Sequence, residues 1–138
     1  MFVNSYLFFG GKAEEAIAFY ERAAGAQRGM VMKFRESPDL SSVPPGMGDY
    51  IMHGEFRLGE TMVFVSDGQS LMEKPKFDGF ALTITTKTKE ETESVYNGLL
   101  EGGEVMMPLS QTFFCPLFGM LTDQFGVHWM VMMESQGM

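Results

Sequence analysis

An imidazole, a carboxylate and a guanidinium stand at every second position of one stretch, His53, Glu55 and Arg57. On an extended strand, residues i, i+2 and i+4 share a face, so the three project to the same side. An imidazole titrates near neutral pH, which makes His53, with Glu55 beside it, the candidate for moving a proton. Arg57 would hold an anionic group of a ligand. The same residues also describe a hydrated strand face with a Glu55–Arg57 pair and no ligand, and both readings stay open.

The second of the two histidines, His128, alternates with Met130 and Met132 in H-W-M-V-M. Neither histidine has a second donor at helical or hairpin ligand spacing, so no dedicated metal site is expected. A thioether cluster would suit Cu(I), but packing by adaptable Met side chains explains the same residues with fewer assumptions. Cys115 lies between Phe114 and Pro116, with no His or Lys adjacent to lower its pKa. It reads as a free thiol at least half buried, and Phe114 as an aromatic lid. No Walker motif, Rossmann fingerprint or Ser-His-Asp arrangement is present, and Gly10-Gly11 is too short for a phosphate loop.

The elements that must position these residues follow from periodicity. Phe2 to Phe9 reads as a strand. Lys12 to Ala24 reads as a helix, with Ala13, Ala16, Ile17, Tyr20 and Ala24 on one stripe and Gly25 as its stop. Gln27 to Glu36 is a second strand, and 37–48 a long loop. Asp49 to Leu58 and Thr61 to Ser66 form a hairpin about Gly59-Glu60. That turn pairs Leu58 with Thr61, Arg57 with Met62, Glu55 with Phe64 and His53 with Ser66. Paired residues share a side, so Phe56, Leu58, Val63 and Val65 face the helix. His53, Glu55, Arg57, Met62, Phe64 and Ser66 face the other way.

After a linker at 69–76 the plan restarts. Phe77 to Thr86 reads as a strand with Phe80, Leu82 and Ile84 on one side. Thr88 to Glu91 is a capping box opening a helix to about Leu100. Glu104 to Met107 is a short strand, Pro108 to Cys115 an irregular loop, and 117–121 with 127–133 a closing hairpin. The order is strand, helix, three strands, and the same again. A βαβββ unit of about 65 residues cannot cover both faces of its own sheet. The expected fold is therefore α+β, with modules at 1–68 and 77–138 curving a mixed sheet around a central cup, helices outside.

The chain of 138 residues has a net charge of −8, which disfavours nucleic acid and anionic membranes as partners. It has no apolar run of about 18 residues and no basic leader, so neither a membrane span nor a signal peptide is expected. A single cysteine suits a reducing compartment, and the cytoplasm is the expected location.

The stretches at 6–21 (Y-L-F-F-G-G-K-A-E-E-A-I-A-F-Y-E), 53–67 (H-G-E-F-R-L-G-E-T-M-V-F-V-S-D), 79–84 (G-F-A-L-T-I) and 118–131 (F-G-M-L-T-D-Q-F-G-V-H-W-M-V) resemble the PhnB-like branch of the glyoxalase/bleomycin-resistance/dioxygenase superfamily, also called vicinal oxygen chelate. Members of this branch are often labelled demethylubiquinone methyltransferases. The chain has neither a Gly-rich loop after a strand for S-adenosylmethionine nor a doubly wound α/β pattern. Metal-dependent members of the superfamily carry four ligands on inward strand positions. The resemblance carries these onto Ser5, onto Met62 or Phe64, onto Phe80 and onto Met130. None is a His or a carboxylate, so the usual metal centre is not expected, nor is any other cofactor.

The resulting expectation is a metal-independent protein, homodimeric by resemblance and by its Met-rich strands, that binds a small organic molecule of unknown identity. Leu7, Phe64, Phe80, Leu82, Met130 and Phe114 would line the cup, with polar groups from His53, Glu55 and Arg57, and Ser5 and His128 as further ligand-binding residues. The alternative is a small-molecule enzyme, of lyase, isomerase or oxidoreductase type, using His53 and Glu55, with or without a displaced divalent metal.

Overall fold

The computed structural model describes residues 1–135, so the last three residues of the expected second module lie outside the described residues. The chain separates into two compact units, the first ending at Pro75 and the second beginning at Lys76.

The first unit runs β1 (Tyr6–Phe8), α1 (Ala13–Ala24), β2 (Gln27–Lys33), β3 (Ile51–Leu58) and β4 (Thr61–Ser66). Its sheet has the order β1-β4-β3-β2, with β1 parallel to β4 and the other pairs antiparallel. The second unit repeats this with β5 (Leu82–Thr86), α2 (Lys89–Leu100), β6 (Glu104–Ser110), β7 (Leu117–Thr122) and β8 (His128–Met133), in the order β5-β8-β7-β6. Both units are βαβββ modules with a mixed four-stranded sheet, as the sequence predicts.

In each unit the helix covers one face of the sheet, and the strands alternate accordingly. Leu7, Val65 and Phe56 are buried beneath α1, with Ile17, Phe19 and Tyr20 above them. Tyr20 contacts Phe56 with ring centroids 5.4 Å apart. Under α2, Trp129, Val131 and Leu121 meet Tyr96 and Leu99. A glycine lets each helix approach closely. A Cβ on Gly54 of β3 would stand 3.4 Å from Ile17 of α1, and one on Gly119 of β7 would stand 2.7 Å from the Tyr96 ring of α2.

Two buried aspartates tie the turns to the sheets. In the first unit, Asp67 Oδ1 accepts from the amides of Gly11 (2.7 Å) and Ala13 (2.9 Å), and Oδ2 from that of Ile51 (2.9 Å). It thus satisfies free N–H groups at the α1 N-terminus, where the helix dipole favours an anion, and fixes the start of β3. In the second unit, Asp123 Oδ1 accepts from the amides of Phe125 (2.8 Å) and Val127 (3.0 Å), and Oδ2 from the Trp129 indole (2.8 Å).

Several expected boundaries move. β2 stops at Lys33, and Phe34–Glu36 forms a 3-10 turn instead of strand. β5 begins at Leu82 rather than Phe77, which leaves Phe80 outside the sheet. β6 continues through Pro108 to Ser110, because an edge strand with an irregular register tolerates a residue that cannot donate. At α2, Thr88 Oγ1 accepts from the Glu91 amide, while the Glu91 carboxylate reaches the amide of Lys87 rather than that of Thr88. The expected linker is docked on the first unit, with the Met72 amide 2.8 Å from the Gly10 carbonyl.

Candidate functional site

The hairpin β3–β4 pairs Leu58 with Thr61, Arg57 with Met62, Phe56 with Val63, Glu55 with Phe64 and Gly54 with Val65. The core side and the open side are therefore the expected ones. The expected His53–Ser66 pair does not form. On the β2 side, Met32 pairs with His53 but Lys33 with Ile51, so Met52 is an extra residue in β3. Toward β4, the Asp67 amide bonds the Ile51 carbonyl at 2.8 Å, one residue out of the hairpin register. A bulge of this kind re-aims side chains locally.

On the open side, His53 is held at both ring nitrogens. Its Nε2 lies 3.0 Å from Glu55 Oε2, and its Nδ1 lies 2.7 Å from the Tyr6 hydroxyl. The three form one chain, carboxylate to imidazole to phenol. Burial, and secondly the Glu55 charge, push the Tyr6 phenol above its ordinary value. Phe64 sits beneath this chain, with ring centroids 5.4 Å from His53 and 5.9 Å from Tyr6. Phe8 continues the surface, stacked on Tyr6 at 5.0 Å and 20°. Tyr6 is 39% exposed and Phe8 48%, so this aromatic floor is open. Beside them lies an open cavity of about 480 Å³, lined by Tyr6, Phe8, Met52, Ser66, Gln69 and Met72 among others.

The expected Glu55–Arg57 pair gives way to Glu55–His53. Arg57 is exposed and makes no salt bridge among the described residues. Leu7 does not line the open side. It is 2% exposed and belongs to the core, and strand alternation puts Ser5 on the same side as Leu7. Ser5 instead contributes its carbonyl to the Phe64 amide at 2.9 Å. Tyr6 and Phe8 take the places expected of Ser5 and Leu7. Leu82 likewise faces the core side, paired with buried Trp129.

In the second unit, His128, Met130 and Met132 do share the face opposite Trp129 and Val131. His128 Nδ1 lies 2.8 Å from Thr122 Oγ1, and its Nε2 lies 3.8 Å from exposed Asp78. The Met130 sulfur accepts from Thr83 Oγ1 at 3.7 Å. Phe80 is exposed ahead of β5. Phe114 stacks edge-on against Phe118 at 5.2 Å, beside a second cavity of about 450 Å³ that includes Cys115. Cys115 is buried, with its Sγ 3.4 Å from the Leu117 carbonyl.

No three His, Cys, Asp or Glu residues converge on a metal-sized site among the described residues. The four superfamily ligand positions carry only hydroxyl, thioether and phenyl groups, which do not fit a divalent metal. Gly10-Gly11 ahead of α1 is the one Gly-rich turn that could open a ligand cradle at a helix N-terminus in the first unit. At α1 that place is closed, because Asp67 already takes the Gly11 and Ala13 amides and Met72 stands against Gly10.

The model of the family described as 3-demethylubiquinone-9 3-methyltransferase matches residues 2–132. Protein YjdN of Escherichia coli K12 is 31% identical over 97% of this chain and 96% of its own length. Among solved structures, protein PA1353 of Pseudomonas aeruginosa superposes with a TM-score of 0.86 at 34% identity, covering 99% of both chains. A putative 3-demethylubiquinone-9 3-methyltransferase, PhnB protein, of Bacillus cereus gives 0.79 at 26%, over 96% of this chain and 99% of that one. A glyoxylase/bleomycin resistance protein/dioxygenase domain of Frankia shares the fold, with a TM-score of 0.68 at 12% identity over 100% and 95% of the two chains. The chain belongs to the family described as 3-demethylubiquinone-9 3-methyltransferase, and it has the fold of glyoxalase/bleomycin resistance/dioxygenase domains.

Proposed function

We propose that the protein is a metal-independent binding protein for a small organic molecule, seated on the open face of the first module. One observation carries this reading. Tyr6 belongs both to an aromatic-floored cavity of about 480 Å³ and to the Tyr6–His53–Glu55 chain. Apolar walls with a few convergent polar groups and this volume suit a ligand of drug-like size. A methyl-transfer activity finds no support at the α1 N-terminus, where Asp67 already occupies the Gly11 and Ala13 amides.

A second reading, a cofactor-free enzyme, is supported by the order of the chain. With Tyr6 covering Nδ1 of His53, a proton leaving a ligand would pass to the phenol oxygen and on to the imidazole, with Glu55 stabilising the imidazolium. We also infer a homodimer in a reducing compartment such as the cytoplasm. Its support is a buried free thiol at Cys115 and the exposed apolar side chains Met30, Met106 and Phe113.

A thermal-shift screen of metal-stripped protein tests the first reading, because a ligand that prefers the native state raises the melting temperature. Shifts with organic molecules that weaken in His53→Ala are expected. Shifts with Zn²⁺, Ni²⁺ or Mn²⁺ that disappear in His53→Ala would contradict metal independence. Chemical change of a bound hit, followed by NMR, would move the assignment to the enzyme reading.

A further inference from the structure

The hydrogens around His53 can be placed by elimination. A carboxylate has only acceptors, so the nitrogen facing Glu55, Nε2, carries a hydrogen. In the neutral ring Nδ1 is then a bare acceptor, and the Tyr6 hydroxyl must donate to it. The single hydrogen of the phenol is thereby engaged. Only the lone pairs of its oxygen remain for a molecule in the adjoining cavity.

Protonating His53 reverses this. Both ring nitrogens then donate, the Tyr6 oxygen accepts from Nδ1, and the phenol hydrogen is released. Few other groups bear on the ring. Glu55 is its partner on β3, and Tyr6 comes from β1. β4 contributes Phe64, and β2 places Met32 opposite His53. Arg57 shares the face four residues on, without an ion pair among the described residues.

The walls define the rest of the ligand. Tyr6 and Phe8 offer two nearly parallel rings, and the thioethers of Met52 and Met72 line the same cavity. Rings stack on rings, and sulfur packs well against ring edges. We propose that the cavity beside Tyr6 takes flat aromatic molecules bearing an N–H or O–H donor, and that protonation of His53 weakens this donor preference. The proposal rests on the binding reading above and adds the chemical class of the ligand.

Indole and 1-methylindole are matched probes, alike in shape and differing in the donor. Their affinities are measured by calorimetry at a higher and a lower pH at which ¹⁵N spectra show the His53 ring neutral and protonated, respectively. The Tyr6→Phe variant supplies the baseline ratio, because it keeps the ring and removes the oxygen. At the higher pH the wild-type preference for indole exceeds that baseline by about two- to tenfold, the range for one neutral hydrogen bond. At the lower pH it falls toward the baseline. A wild-type ratio equal to that of Tyr6→Phe at the higher pH would overturn the donor preference while leaving the binding reading intact. A preference unchanged between the two pH values would overturn the part given to His53. Failure of both probes to bind the wild type would overturn the aromatic cavity and the binding reading with it.

Discussion

The Tyr6 hydroxyl lies 2.7 Å from Nδ1 of His53, although their strands are not neighbours: β4 runs between β1 and β3. The bond passes over Phe64, which pairs with Tyr6 on one side and with Glu55 on the other. Three adjacent strands therefore supply one polar chain and the ring beneath it. With Glu55 ionised and the ring neutral, this arrangement calls for the Nε2–H tautomer of His53.

That tautomer is directly observable. In ¹⁵N spectra of the neutral imidazole, His53 is expected as the Nε2–H form, with Nδ1 unprotonated. In Tyr6→Phe the Nδ1 resonance should shift as its donor is lost. Stability should change little, within about 0.5 kcal/mol, because the site is partly exposed. A His53 resonance typical of the Nδ1–H form would show that the chain runs the other way.

Asp67 is 1% exposed and holds three backbone amides from α1 and β3. Asp67→Ala leaves those donors without their acceptor, and each buried unsatisfied group costs about 1–3 kcal/mol. A loss of at least about 3 kcal/mol in urea-induced unfolding is expected, with Asp67→Asn retaining part of the stability. A loss below about 1 kcal/mol would show that water replaces the carboxylate.

Tyr96 donates to the carbonyls of Met107 (2.9 Å) and Met120 (3.2 Å), and burial pushes its phenol above the ordinary value. The folded state thus holds this proton more tightly than the unfolded chain. The stabilisation is complete below the unfolded value of about 10 and is lost as pH rises through the folded value. Unfolding free energy should fall more steeply above about pH 10 in the wild type than in Tyr96→Phe. Equal slopes would place the alkaline sensitivity elsewhere.

Much of this architecture is legible in the residues. The Gly59-Glu60 turn sets the β3–β4 register, and the alternation from Phe56 to Val65 then separates core face from open face. Three features were not legible. The run Tyr6-Leu7-Phe8-Phe9 is apolar at every position, so its alternation has no phase, and Tyr6 rather than Ser5 or Leu7 reaches His53. The bulge at Met52 leaves no mark in local composition, yet it breaks the expected His53–Ser66 pair. Glu55 lies two residues from both His53 and Arg57, and only side-chain geometry decides that it bonds His53.

The most direct test of a ligand seat beside Tyr6 is a methyl NMR titration of metal-stripped, ¹³C-methionine-labelled protein with indole. Met52→Leu and Met72→Leu assign the two cavity signals. The account predicts saturable shifts of Met52 and Met72, while exposed Met30 on β2 stays in place. Shifts confined to Met133, beside Phe113 and Cys115 in the other cavity, would contradict it, as would a spectrum that does not change.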